Sequence, residues 1–134
     1  MDSPNIVLLK DTGDQRGFCY SLPQTCLEFR NLVKGAAVLS VKPGAVRGNH
    51  FHHVKLEMIM VIFSDSWTFF YQGRYEAEPT LRKFEGQGMA VITVPPLCKH
   101  AVRNDGKADL ILIDLSSVEY DPQHPDVIRD VITG

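Results

Sequence analysis

Four residues in two short stretches of the sequence could hold a metal ion or move a proton. His50 and His52 lie two positions apart, Glu57 follows shortly after them, and His100 lies in the second stretch. On a β-strand, residues two apart point to the same side, so His50 and His52 would share one face. Three imidazoles and one carboxylate suit a divalent metal with one or two open coordination positions.

Proton transfer without a metal is the alternative chemistry for this set. Neutral imidazoles that are hydrogen-bonded in a polar pocket act as general acids and bases near pH 7. Four of the five histidines of the chain fall in the two stretches, however, and this concentration favours a metal site. His53 would point away from His52 on a strand, so we do not count it as a ligand.

Short β-strands are expected to position these residues, because apolar segments alternate with turn signals along the chain. The expected strands cover residues 5–10, 18–22, 36–41, 47–53, 57–63, 67–71, 80–84, 89–94, 100–104 and 110–115. Residues 23–30 carry no clear signal. The tail from about residue 116 is expected to be an extended arm, with a last helical turn after Asp126 as its N-cap. This spacing indicates an antiparallel sandwich or closed barrel.

Composition excludes several classes of partner. The net charge of −2 and the pI of about 6.2 give no support for binding to nucleic acid or to an anionic membrane. The longest apolar run, 58–63, is far shorter than the ~20 residues of a membrane helix. The N-terminus does not resemble a secretory signal. Since Cys19, Cys26 and Cys98 form no C-x-x-C pair, we expect free thiols and a cytoplasmic location.

Both stretches resemble the cupin signature, whose motifs are G-x5-H-x-H-x3,4-E-x6-G and G-x5-P-x-G-x2-H-x3-N. The matching positions are Gly44, His50, His52, Glu57, Pro95, His100 and Asn104. Ser64 and Leu97 stand where the motifs have glycine, and these departures leave the candidate ligands intact. The resemblance implies an all-β, single-domain cupin over residues 1–134, a double-stranded β-helix or jelly-roll barrel with the site inside.

A closer resemblance concerns residues 48–57. Gly48-Asn-His-Phe-His-His53, with Lys55 and Glu57, resembles the C-terminal cupin domain of capsular polysaccharide enzymes that act on UDP-4-keto-6-deoxy-amino sugars. Segments 104–109 and 120–126 are also similar to that family. Its cupin domain binds zinc and epimerises the keto sugar beside its carbonyl, and a separate reductase domain then reduces it. We expect only the cupin part in these 134 residues.

Residues 14–17 are similar to the start of sugar-nucleotide 3,4-ketoisomerases, which use an H-x-H pair without a metal. Both resemblances imply loss of a proton beside a ketone and its return elsewhere. They predict an epimerase or ketoisomerase that acts on a nucleotide-linked 4-keto-6-deoxy sugar in polysaccharide or glycan biosynthesis. The alternatives are a metal-dependent cupin of another class, such as a dioxygenase or small-molecule isomerase, and a non-catalytic sugar- or metal-binding cupin.

The predicted roles divide into three groups. The metal ligands are His50, His52, Glu57 and His100, with zinc as the expected ion and another transition metal or none as alternatives. The catalytic candidates are His50, His52 and Tyr71. The candidates for binding the nucleotide diphosphate are Arg47, Lys55, Arg74 and Arg103.

Two of these predictions depend on how the strands lie. Tyr71 and Arg103 are on strands that should line the barrel, whereas Arg47 faces the same side as His50 only if a bulge at Gly48 re-aims it. The apolar segment 5–9 is expected at a barrel edge, where it could pair with a second copy and form a homodimer.

Overall fold

Ten β-strands form two five-stranded antiparallel sheets in the computed structural model, which describes residues 2–134. In spatial order, the first sheet contains β1 (Asn5–Leu8), β7 (Gly88–Val94), β4 (Glu57–Phe63), β9 (Leu110–Ser116) and β2 (Gly35–Val41). The second contains β10 (Ile128–Arg129), β3 (Val46–Phe51), β8 (Lys99–Asn104), β5 (Trp67–Gln72) and β6 (Thr80–Phe84). The predicted all-β class is therefore confirmed.

The apolar core lies between the inner faces of the two sheets. Its buried members are Val41, Ile59, Val61, Phe63, Trp67, Phe69, Phe84, Ala90, Ile92, Val94, Cys98, Val102, Leu110 and Leu112. Trp67 stacks on Phe84 with ring centroids 4.2 Å apart, and Phe63 contacts both rings at steep angles. These aromatic rings close one end of the barrel.

The other end of the same inner faces is polar. Glu57 begins β4 and Phe63 ends it, and both side chains are buried on the inner face because positions two apart share a side. His100 and Val102 share the inner face of β8 in the same way. Strand alternation thus converts the sequence pattern into an apolar end and a polar end.

A bulge in β3 decides which side chains reach that polar end. The register of β3 against β8 shifts between Gly48 and His50, and Gly48 and Asn49 have φ angles of 100° and 57°. A Cβ at residue 48 would lie 2.7 Å from the carbonyl oxygen of His100, so only glycine fits there. The bulge puts Arg47 and His50 on the same inward side.

The N-terminal part differs from the predicted strands. Residues 18–22 contribute only an isolated bridge between Asp11 and Tyr20. A short α-helix, Gln24–Leu27, and a 3-10 helix, Glu28–Leu32, follow in the stretch without a clear signal. They cover the outer face of the first sheet through the apolar cluster of Cys26, Phe29, Met58, Met89 and Val91. Tertiary packing, not local periodicity, determines these helices.

The predicted helical turn after Asp126 is wrong. Residues 128–129 instead form β10, which pairs with the edge of β3 and places Arg129 beside His50. The free backbone groups of the β3 edge explain this choice, because they would otherwise lack ladder partners. None of the helices within residues 2–134 has the length and hydropathy that a membrane span requires.

Candidate active site and metal centre

Four donor side chains converge at the polar end of the barrel. His50, His52, Glu57 and His100 each offer one ligand atom, and these atoms lie within 4.8 Å of one another. The Nε2 atom of His52 is 2.7 Å from Oε1 of Glu57, and Nε2 of His100 is 3.0 Å from the same oxygen. His52, Glu57 and His100 are buried, whereas His50 is half-buried. The structure therefore brings together all four predicted ligands.

Each donor comes from a different place in the two sheets. His50 of β3 and His100 of β8 are direct cross-strand neighbours. His52 follows the last residue of β3, and Glu57 is the first residue of β4 on the opposite sheet. The cluster therefore bridges the two layers of the barrel, and its geometry depends on how the sheets pack.

Backbone carbonyls determine the tautomers of two of the histidines. Nδ1 of His52 contacts the carbonyl oxygen of Asp126, and Nδ1 of His100 lies 3.0 Å from the carbonyl oxygen of Cys98. A carbonyl oxygen can only accept a hydrogen bond, so both Nδ1 atoms must carry the hydrogen. In the neutral rings, the lone pair is then on Nε2, the atom that faces Glu57.

This arrangement fits a bound cation. Two Nε2 lone pairs and one carboxylate oxygen approach one another, and within residues 2–134 neither Nε2 of His52 nor Oε1 of Glu57 has a partner that meets hydrogen-bond geometry. Electron-rich atoms held this close repel one another unless positive charge lies among them. Imidazole and carboxylate are the donors that Zn²⁺ and related metals prefer. The cluster can therefore bind a metal.

The pKa values of His50 and Glu57 are both lowered by their surroundings in the site. Burial lowers the pKa of His50 to about 4, and the neighbouring His100 and His52 contribute to this lowering. Burial alone would raise the pKa of Glu57, but hydrogen bonds from His100, His52 and Asp114 outweigh it and lower the pKa; the two imidazoles contribute in the forms that carry a hydrogen on Nε2. At pH 7, His50 is neutral and Glu57 is ionised, which are the protonation states that a metal ligand needs.

Asp114 is a site residue that the motifs do not identify. It belongs to β9, pairs with Ile59 of β4, and lines the same cavity as Glu57. Burial, and then the contact with the negatively charged Glu57, raise the pKa of Asp114 to about 9. Asp114 is therefore protonated at pH 7 and can serve as a donor toward Glu57, so the pair carries one negative charge instead of two.

A cavity of about 610 Å³ opens onto the cluster. Its floor contains the four donors and Asp114, and its mouth is lined by Arg47, Lys55, Tyr120, Val127 and Arg129. The size lies within the range of small-molecule sites. Of the predicted binding residues, Arg47 and Lys55 thus lie at the mouth. Arg129, which sequence reasoning missed, lies there because β10 pairs with β3.

Arg103 and Arg74 do not line this cavity. Arg103 follows the inward-facing Val102, so its side chain lies on the outer face, where its Nε donates to Asp105 at 2.6 Å. Its guanidinium also lies over the ring of Phe70. Arg74 follows β5 in an exposed turn.

Tyr71 lies near the cluster but not in the cavity wall. It is the direct cross-strand neighbour of His100, so its side chain is on the inner face. Its ring stacks on Phe69 with centroids 5.6 Å apart and packs against the core. The structure therefore places Tyr71 behind His100.

Two antiparallel sheets around a His-His-Glu-His cluster define a cupin-type barrel. The chain belongs to the family described as "Polysaccharide biosynthesis C-terminal domain", whose model matches residues 14–128. The family predicted from the motifs is thereby confirmed. A comparison with curated proteins finds no match.

Solved structures share this fold. The capsular polysaccharide assembling protein CapF from Staphylococcus aureus is 26% identical with a TM-score of 0.65; the match covers 72% of this chain and 26% of CapF. The chain thus spans about a quarter of CapF. QdtA, a sugar 3,4-ketoisomerase from Thermoanaerobacterium thermosaccharolyticum in complex with TDP, is 18% identical (TM-score 0.71; 96% and 88% covered). The rmlC epimerase of Mycobacterium tuberculosis is 17% identical (TM-score 0.71; 91% and 66% covered).

Replacing Asp114 should change how stability depends on pH. The folded pKa of about 9 exceeds the ordinary value of 3.8, so the unfolded chain ionises first and stability falls as pH rises between these values. Asp114→Asn keeps the donor and cannot ionise. We therefore expect the free energy of unfolding of Asp114→Asn, relative to that of the wild type, to increase from pH 5 to pH 8.5, by at most about 1.4 kcal/mol per pH unit. Urea unfolding of the metal-free proteins measures this difference.

An exposed carboxyl provides the control for this experiment. Asp109→Asn, in the turn before β9, should show no such trend. A stability difference between the Asp114→Asn protein and the wild type that stays constant with pH would contradict the assignment of a protonated Asp114.

Proposed function

We propose that this chain is an epimerase or ketoisomerase that acts on a nucleotide-linked 4-keto-6-deoxy sugar in polysaccharide or glycan biosynthesis. The observation that carries the proposal is a buried donor cluster at the floor of a cavity whose mouth holds Arg47, Lys55 and Arg129. Membership of the polysaccharide biosynthesis family supports it. So does the likeness to QdtA, a mutant of which is solved with TDP-4-keto-6-deoxyglucose.

The shared step of both reactions needs two functions from the site. A C–H bond beside the ketone loses its proton, and the developing negative charge on the carbonyl oxygen must be stabilised. The inner donors face the cavity floor, and the cationic side chains face its mouth. A sugar at the floor and a diphosphate at the mouth would match this division of polarity.

We propose zinc as the metal, held by His50, His52, Glu57 and His100. The chemistry that zinc supplies in such a set is Lewis acidity, which stabilises negative charge on a carbonyl oxygen. Because its pKa is near 4, free His50 is a weak base at pH 7 and is better suited to donate its lone pair. Tyr71 behind His100 remains a proposed proton carrier.

The proposed reaction predicts exchange of the substrate proton with solvent. A 4-keto-6-deoxy sugar nucleotide, TDP- or UDP-linked, should take up deuterium from heavy water faster with the protein than without it. His52→Ala should lose most of the bound metal, because losing a metal ligand should weaken metal binding at least as much as losing an outer contact to a ligand, which costs ~10–100-fold. Exchange should fall with the metal content, by about 100-fold or more. Metal analysis and NMR of the substrate measure both effects.

Two further variants separate the roles. Tyr71→Phe removes only the hydroxyl, so it should retain metal while exchange falls. Lys42→Ala, in the exposed turn after β2, should change neither. A fully active His52→Ala protein would refute the site assignment. If the wild type binds no metal yet exchanges the proton, the zinc proposal fails and the histidines themselves transfer the proton.

The cations at the mouth should act on binding and not on chemistry. Lys55→Ala should raise KM about 10-fold and leave kcat within about 2-fold, because a contact to the diphosphate is made equally in the ground and transition states. Arg103→Ala on the outer face should change neither constant. The opposite pattern, an effect of substitution at residue 103 and none at residue 55, would contradict diphosphate binding at the cavity mouth and indicate the outer face instead.

We also propose that the protein is a cytoplasmic homodimer. Val38, Ile111 and Ile62 are 72%, 45% and 39% exposed, and they form an apolar strip on the outer face of the first sheet. β1 lies at the edge of the same sheet, where a second copy could extend it. Cys19, Cys26 and Cys98 are free, as is typical of a reducing compartment.

Sedimentation equilibrium tests the dimer. The wild type should be dimeric at micromolar concentration, and Val38→Asp should shift it toward monomer, because the strip would lose its apolar character. Leu81→Asp is a matched control, since Leu81 is 50% exposed on the second sheet and should leave the dimer intact. A monomeric wild type at this concentration would refute the proposal.

A further inference from the structure

We infer that Asp126 is a positioning residue, which docks the C-terminal segment onto the site and thereby fixes the ring of His52. Its carboxylate binds the turn that follows His52, and its backbone carbonyl contacts Nδ1 of His52. The expected effect on metal binding rests on the proposed function, whereas the contacts of Asp126 with His52 and the following turn do not depend on a metal.

The carboxylate accepts three successive backbone N–H groups. Its Oδ1 accepts from His53 at 2.7 Å, and its Oδ2 accepts from Val54 at 2.9 Å and Lys55 at 3.0 Å. Three donors that point at one position form a cradle for an anion. Asp126 fills this cradle, so the turn between His52 and Glu57 is held by a segment far along the chain.

The same residue holds the ring of His52 through its main chain. His52 and Asp126 are 74 positions apart, whereas the carbonyl that orients His100 belongs to Cys98, two positions away. The orientation of His100 is therefore local to β8, while that of His52 exists only when residue 126 is docked. The C-terminal segment thus orients the ring of His52, whereas it meets His50 through the backbone pairing of β10 with β3.

A second anchor lies beyond β10. The backbone carbonyl oxygen of Asn49 accepts a hydrogen bond from the N–H of Asp130 at 2.8 Å. The side-chain Oδ1 of Asn49 accepts one from the N–H of Ile132 at 2.9 Å. Lys99 also pairs with Asp130 at 2.9 Å. The segment is therefore fixed on both sides of Arg129, and Asp126 is the anchor that also contacts a donor of the cluster.

Substitution of Asp126 tests the role of its carboxylate alone, because any residue at position 126 still has the backbone carbonyl that contacts His52. Asp126→Asn retains one oxygen but turns an NH₂ group toward backbone donors, so the cradle loses acceptors and gains repulsion. Asp126→Glu keeps both oxygens. If the carboxylate docks the segment, the Asn variant releases His52 and the Glu variant retains most of its fixation.

Two measurements on the full chain give the readout. Nitrogen-15 NMR of the metal-free wild type should show His52 with hydrogen on Nδ1, and Asp126→Asn should show a mixture of tautomers. Titration with cobalt(II), followed by its visible absorption, should give ~10–100-fold weaker binding for the Asn variant, as is typical when an outer contact to a ligand is lost. Asp126→Glu should recover most of the affinity.

Two control variants separate this role from a general effect of the tail. Asp121→Asn alters a carboxylate whose hydrogen bonds go to Gln123 and His124 of its own turn. Asp130→Asn removes the ion pair with Lys99 but keeps the N–H bond to Asn49. Both should retain the His52 tautomer and wild-type cobalt affinity. Equal losses in Asp130→Asn and Asp126→Asn would overturn the inference.

The remaining outcomes also decide the question. Unchanged tautomer and affinity in Asp126→Asn would refute the positioning role. If the wild type binds no cobalt, the proposed metal fails, and the tautomer of His52 alone decides whether Asp126 positions it. If the Asn variant does not fold, the Glu variant is decisive: loss of the fixed tautomer in a folded Asp126→Glu protein would contradict the inference.

Discussion

The close approach of three electron-rich atoms is the constraint on which the site depends. Nε2 of His52 and Nε2 of His100 lie within 3.0 Å of one carboxylate oxygen of Glu57. Such a group persists in a buried place only if other parts of the protein hold it together. Backbone carbonyls direct the lone pairs inward, and the protonated Asp114 adds a donor without adding charge.

The fold meets this constraint by giving the two ends of one barrel opposite character. The same alternation that buries Phe63 and Trp67 at the aromatic end brings Glu57 and His100 inward at the other. Stability and chemistry therefore occupy the same strands but different positions along them. The rigid core beneath the cluster keeps its donors at fixed distances, as preorganised binding of a metal or substrate requires.

Local patterns predicted β1 to β9 from the sequence but not β10. Strand alternation put His50 and His52 on one face, and the resemblance to the two cupin motifs grouped Glu57 and His100 with them without coordinates. Arg129, Asp114 and Asp126 could not be grouped in this way, since they reach the site through pairings between distant strands or segments. The helices over 24–32 also escaped prediction, because contacts with the first sheet stabilise them.

The docking of β10 on β3 separates the completion of the site from the closing of the core. His50 is synthesised long before Arg129, its neighbour in the finished sheet. The other strands of the two sheets pair with one another within residues 5–116, so the pairing that closes the core does not involve β10. The cavity gains its last wall only when residues 126–132 dock on the edge of β3, and this edge is where the site can open without unpacking the core.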